Sequence, residues 1–190
     1  SVHRLVLLLC LLVAAPAAAA PRAELWDRWT RHDVGSSTTV DHAPLDRFLA
    51  TYLITCKDGI ARVAYAAVTP ADRGMLAAYV DDLGAVEVSS LARAEQMAFW
   101  INLYNALTLR VVLDHFPVRS IRDIAISPGL LSVGPWGAKL VTVEGEKLSL
   151  DDIEHRILRP IWRDPRIHYA VNCAALGCPD LQASAFRASD

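Results

Sequence analysis

The sequence predicts one α+β domain: a central buried helix with surrounding helices and a small, mainly antiparallel sheet. Three observations lead there. Residues 94–115 carry no formal charge between Glu95 and Arg110 and place apolar side chains on every face, the pattern of a helix packed on most sides. Residues 139–143 and 147–150 flank Glu144-Gly145-Glu146, a hairpin pattern. Residues 167–173 (IHYAVNC) are aromatic and β-branched enough to read as a strand.

The remaining elements follow in order. Trp26 and Trp29 sit at helical spacing, so residues 21–32 read as a short amphipathic helix, and residues 33–39 are a loop by composition. Pro44 stands near the start of a second helix, where its missing N–H is tolerated, and Leu45, Phe48, Leu49 and Tyr52 form its apolar stripe. Lys57-Asp58-Gly59 is a turn, after which Ile60, Val63 and Tyr65 suggest a short strand. Pro70 opens a third helix that Gly84 ends. Phe116-Pro117 stops the fourth, and residues 127–137, rich in Gly, Pro and Ser, form a long loop holding Trp136. Ser149 caps a helix over residues 150–159, with Asp152 at the capping-box position and Pro160 after its end.

Length and composition bound the function. At 190 residues the chain suits one domain rather than two. Nineteen basic residues against 21 acidic give a net charge of -2, which offers no electrostatic footprint for nucleic acid. A 53% hydrophobic fraction excludes wholesale disorder. The mean hydropathy of +0.26 is high because of the first 20 residues. There Arg4 precedes an apolar run over residues 5–15 and small residues over 16–20, the layout of a cleavable secretory leader. The run is shorter than the ~18 residues a membrane span needs. The expected organisation is therefore a leader over 1–20, an N-terminal helical segment over 21–59 and an α+β domain over 60–190. The expected location is the periplasm or the exterior, with no membrane attachment once the leader is removed.

Three blocks carry a family resemblance: residues 95–107 (EQMAFWINLYNAL), residues 148–155 (LSLDDIEH), and residues 164–173 (DPRIHYAVNC) running on to Cys178-Pro179. In this order they resemble the domain of unknown function 547 family, over roughly residues 60–181. The resemblance implies a bacterial exported member of a family that also occurs inside plant and animal proteins, and supplies no settled reaction. The family normally continues past the Cys-Pro block with at least one more helix, so its C-terminal element is expected beyond Asp190.

Chemistry could reside in few residues. Outside the leader there are three cysteines: Cys173 and Cys178 are close enough in sequence for a local disulfide, and Cys56 is then left over. The sharper reading makes Cys173 a nucleophile, which needs a histidine to take its proton and a third group to fix the ring. His155 is the preferred base, with Asp152 (i, i+3 on the same helix face) or Glu154 as orienter and Asn102 or Asn105 as a supporting amide. The bland reading of the two asparagines is that they tie the central helix to neighbouring backbone. His168 with Cys178 is a second-choice pair; on a continuous strand, positions 168 and 173 would face opposite ways. No metal or cofactor is expected: the chain has no Cys-x-x-Cys, no His-x-x-x-His, no P-loop and no dinucleotide fingerprint. Arg156, Arg159, Arg163 and Arg166 cluster near Trp162, offset by Asp151, Asp152 and Asp164. Two functions remain open. The first is a non-catalytic envelope module binding a small molecule, peptide or envelope protein; the alternative is a papain-like thiol hydrolase or acyltransferase.

Overall fold

The computed structural model describes residues 22–190 except Leu131, Leu176 and Gly177. The leader expected over residues 1–20 lies outside the described residues. Helix α1 (Ala43–Tyr52) has Pro44 in its first turn and buries Leu45, Phe48, Leu49 and Tyr52. Strands β1 (Leu53–Thr55) and β2 (Ala61–Val63) pair antiparallel, with Leu53 opposite Val63. Helix α2 (Pro70–Gly84) is capped by Thr69, whose Oγ1 accepts from Asp72 N at 3.1 Å. Its last residue must be small, because a Cβ on Gly84 would lie 3.0 Å from Thr142 O.

The charge-free run forms α3 (Arg93–His115), the axis of the molecule. Phe99, Trp100, Leu103, Tyr104 and Leu107 are all buried on it, each contributing roughly 1.5–3 kcal/mol of transfer free energy. The polar residues of its first turns close other segments onto the core. Glu95 Oε1 accepts from Val40 N at 2.8 Å, and Gln96 Nε2 donates to Arg31 O and Val88 O.

Strands β3 (Val141–Val143) and β4 (Glu146–Leu148) form a second hairpin. Its two-residue turn has positive φ at Glu144 (46°) and Gly145 (84°), the combination that matches the strands' twist. Glu144 is held in this region by Arg28, which donates to its carbonyl at 2.7 Å, and by Ser89, whose N–H and hydroxyl donate to its carboxylate. The expected small sheet is thus two separate two-stranded hairpins on a mainly helical body.

Three elements differ from expectation. Residues 167–173 are not a strand: α5 (Ile167–Ala170) is a single helical turn, and Val171 leaves it extended. The Asn105 amide explains the change, since it donates to Ala170 O and accepts from Asn172 N, both at 2.9 Å. A side chain of α3 thereby occupies the groups a neighbouring strand would pair. The helix expected over residues 21–32 is not found over its described part, residues 22–32, which hold only a 3-10 turn over Asp27–Thr30.

The third difference lies at the helix expected over residues 150–159, which runs on through Pro160 instead of ending before it, and it accounts for the second. A helix continuing through Pro160 lacks the N–H that would reach Arg156 O. The chain widens instead into a π-helical segment (Asp152–Leu158) that runs into α4 (Arg159–Trp162), and Arg159 N reaches back five residues to Glu154 O. His155 O and Arg156 O are then taken by Glu24 N and Trp26 N, each at 3.0 Å. The segment at 24–26 is extended because alternate N–H groups face this helix. Trp26 lies 4.4 Å under the Arg156 guanidinium and edge-on to Trp29, which meets Trp100 of the core.

Candidate functional site

The π-helical segment carries Asp152, Glu154 and His155, three of the candidate catalytic residues. Its start is a capping box: Ser149 Oγ accepts from Asp152 N at 3.1 Å, while Asp152 Oδ2 accepts from Ser149 N at 2.9 Å. Lys139 also donates to Oδ2, and Arg156 donates to Oδ1 at 3.1 Å. Burial would raise the Asp152 carboxyl, but the hydrogen bonds from Lys139, Ser149 and Arg156 outweigh it and hold the group below its ordinary range. Asp152 is therefore committed to the helix start and makes no hydrogen bond to His155, contrary to the orienting role expected for it. The expected i, i+3 pairing presupposed α-helical register, which this segment lacks.

The carboxylates beside His155 are others. Its Nε2 lies 3.9 Å from Asp151 Oδ1 and 3.9 Å from Glu154 Oε2, beyond hydrogen-bond length. His155 is 6% exposed, and its Nδ1 is buried without a hydrogen-bond partner among the described residues. Asp151 is raised by burial first, with His155 opposing and Glu154 and Asp152 adding to the rise. Glu154 Oε1 accepts from Arg159 Nε at 3.0 Å and Nη2 at 2.7 Å, and its Oε2 accepts from Tyr104 OH at 3.3 Å. Burial, then the nearby Glu154 carboxylate, pushes the Tyr104 phenol well up. Arg159 Nη2 also stands 3.5 Å from His168 Nδ1.

Tyr104 and Arg159 were not picked out from the sequence as members of this cluster. Tyr104 reads as core, and a Glu–Arg spacing of five does not meet on an α-helix. Pro160 was the available signal, because it forces the wider register that brings positions 154 and 159 together.

The two asparagines lie elsewhere on α3. Asn102 donates to Phe186 O at 2.9 Å and accepts from Phe186 N at 2.8 Å. Together with Asn105 on residues 170–172, it clamps two later segments to the central helix through backbone groups alone.

Cys173 and Cys178 are disulfide-bonded, with Cα atoms 6.1 Å apart, and Cys56 is unpaired among the described residues. Among the described residues no hydrogen bond joins His155 or His168 to either sulfur of the pair. The groupings are thus Glu154 with Arg159 and Tyr104, His168 with Arg159, and the two cysteines with each other. Arg156, Arg159 and Arg166 are each ion-paired, to Asp152, Glu154 and Asp164. No group of three candidate metal ligands occurs among the described residues.

Two concavities border these elements. A groove of about 560 Å³ runs between Met97, Ala98 and Ile101 of α3, Tyr169 and Ala170 of α5, and Phe186. A second, of about 400 Å³, lies between the β1–β2 hairpin and the segment carrying Asn172, Cys178 and Asp180. Asp180 hooks the two sides together by accepting from Ala61 N at 3.0 Å.

No curated protein and no solved structure matches the chain. One family model does, over residues 88–190, which is more than half of the sequence and spans α3, both hairpin strands β3 and β4, the π-helical segment and the disulfide. The chain belongs to that family, described as protein of unknown function, DUF547.

Proposed function

We propose that this protein is an exported, non-catalytic binding module of the cell envelope. The observation that carries the reading is the Cys173–Cys178 disulfide. A thiol hydrolase needs a thiolate, and a sulfur held in a disulfide supplies none. A bond of this kind also suits an oxidising compartment, in keeping with the leader-like first 20 residues. The side chains that would complete a thiol site have other work. Asp152 caps a helix, and Asn102 and Asn105 bond backbone. The groove beside α3 supplies a concave, mainly apolar surface of the size that accepts a small molecule or a short peptide.

Intact mass of the protein isolated from the envelope fraction tests this reading. Reduction should add two hydrogen masses, and alkylation without reductant should leave Cys173 and Cys178 unlabelled. Recovery of the protein from the cytoplasm, or labelling of both cysteines without reductant, would contradict it.

A further inference from the structure

The groove beside α3 has a wall that is pinned from two sides by side chains of different kinds. Residues 185–187 form part of this wall, with Phe186 and Arg187 lining the groove. From α3, the neutral Asn102 amide holds both the N–H and the carbonyl of Phe186. From α1, the Asp46 carboxylate holds the residues on either side. Its Oδ1 accepts from Ala185 N at 2.7 Å, and its Oδ2 accepts from Arg187 Nη2 at 2.5 Å. Arg187 Nη1 also donates to Ala185 O at 3.0 Å and to Phe186 O at 3.2 Å, so the guanidinium ties the wall's backbone to Asp46.

His42 stands one turn before Asp46 at the start of α1, where its carbonyl accepts from Asp46 N at 3.1 Å. The residue is buried. Its Nδ1 lies 2.7 Å from Tyr79 OH of α2, and its Nε2 is buried with no hydrogen-bond partner among the described residues. The charged groups around the ring are Asp41 and Asp46 on its own side and Arg187 of the groove wall. Asp41 Oδ1 already accepts from Ala43 N at 2.8 Å, and both Asp46 oxygens already accept from the wall. An imidazolium formed here carries an N–H on each nitrogen, and the one at Nε2 is costly to leave buried without an acceptor.

Arg187 opposes a charge on the ring, and Asp46 favours one. Such coupling is reciprocal: a proton on His42 weakens the seat of Arg187 by the factor by which Arg187 weakens the proton. The same proton draws the Asp46 carboxylate toward the ring and away from Ala185 N. Asn102 carries no charge, so its two bonds to Phe186 are indifferent to the proton.

We propose that His42 is a proton-operated latch on the groove wall: its protonation frees Ala185 and Arg187 from Asp46, while Asn102 keeps Phe186 in place. The groove then gains a guanidinium that is no longer ion-paired. The regulation of ligand binding that follows rests on the groove being the binding surface proposed above; the latch itself does not.

Amide hydrogen exchange, read residue by residue by NMR and corrected for intrinsic rates, tests the latch with no ligand present. Between neutral pH and about pH 4, protection of the Ala185 N–H should fall about fivefold relative to that of the Phe186 N–H. In His42→Gln, which keeps Asp46 and Arg187, the ratio of the two should stay constant. Arg187→Gln, a change at a solvent-accessible side chain, should raise the titration midpoint of the His42 ring protons by removing an opposing charge. A parallel loss at both amides overturns the latch, because it reports general loosening. A loss at Ala185 that persists in His42→Gln overturns it as well, since Asp46 is then titrating on its own account. An unchanged His42 midpoint in Arg187→Gln overturns the coupling. A groove that binds no ligand leaves these outcomes untouched and counts against the proposed function alone.

Discussion

Asn102 and Asn105 on α3, and Glu154 and His155 on the π-helical segment, are two polar pairs set into one apolar core, and they are wired differently. Each amide meets backbone through both its N–H and its oxygen, joining α3 to residues 186 and 170–172. Glu154 is held by side chains instead, those of Arg159 and Tyr104, and among the described residues His155 Nδ1 has no hydrogen-bond partner. Neutral amides that match the backbone's own donors and acceptors act as tertiary clamps. Charges bonded to other side chains depend on protonation state and leave a ring nitrogen open. Residue type and burial alone do not separate these roles; the partner does.

The clamps should carry the larger energies. Asn102→Ala leaves the N–H and carbonyl of Phe186 without the amide, and a destabilisation of about 2–4 kcal/mol is expected in urea unfolding. A loss under about 0.5 kcal/mol would mean that the clamp is replaced by water.

A third buried polar group sharpens the contrast through pH. His42 is lowered to about 4 by burial first and then by Arg187, against opposing Asp46 and Asp41, and its Nδ1 lies 2.7 Å from Tyr79 OH. Its folded-state value lies below the unfolded one, so the neutral ring favours the fold. The contribution is fully present above pH 6.5 and is lost as pH falls toward 4. The loss amounts to about 3 kcal/mol. Wild type should lose more stability than His42→Gln between neutral pH and pH 4; parallel curves would contradict the assignment.

The charged pair should matter less. Glu154→Gln weakens the paired bonds from Arg159 and is expected to cost about 1–2 kcal/mol, less than Asn102→Ala. Arg166→Gln, which removes a solvent-screened pair with Asp164, should leave the unfolding midpoint where it is in wild type. If Glu154→Gln exceeded Asn102→Ala, the ranking of clamp over charge would be inverted.

These differences mark what the sequence could convey. α3 is legible because a long stretch without charge has no solvent face, and the Ser149–Asp152 cap because its chemistry is local. The turn at Glu144-Gly145 is legible for the same reason. Residues 167–173 mislead because β-propensity describes a pleated, half-buried environment, whereas here the partner is an Asn105 side chain from far along the chain. Residues 24–26 mislead because their partners are carbonyls released by Pro160, more than a hundred residues away. Within the candidate site, the residue types were legible and their register was not. Asp152 and His155 share a face only in the α-helical geometry that this segment abandons.

Cys173 and His155 form no catalytic dyad in this reading, and the pH dependence of Cys173 alkylation in the reduced protein decides the matter. The midpoint should be the same in wild type and in His155→Ala. A midpoint below about pH 7 that rises toward the ordinary value in His155→Ala would contradict it, because only a thiolate stabilised by that imidazole behaves so.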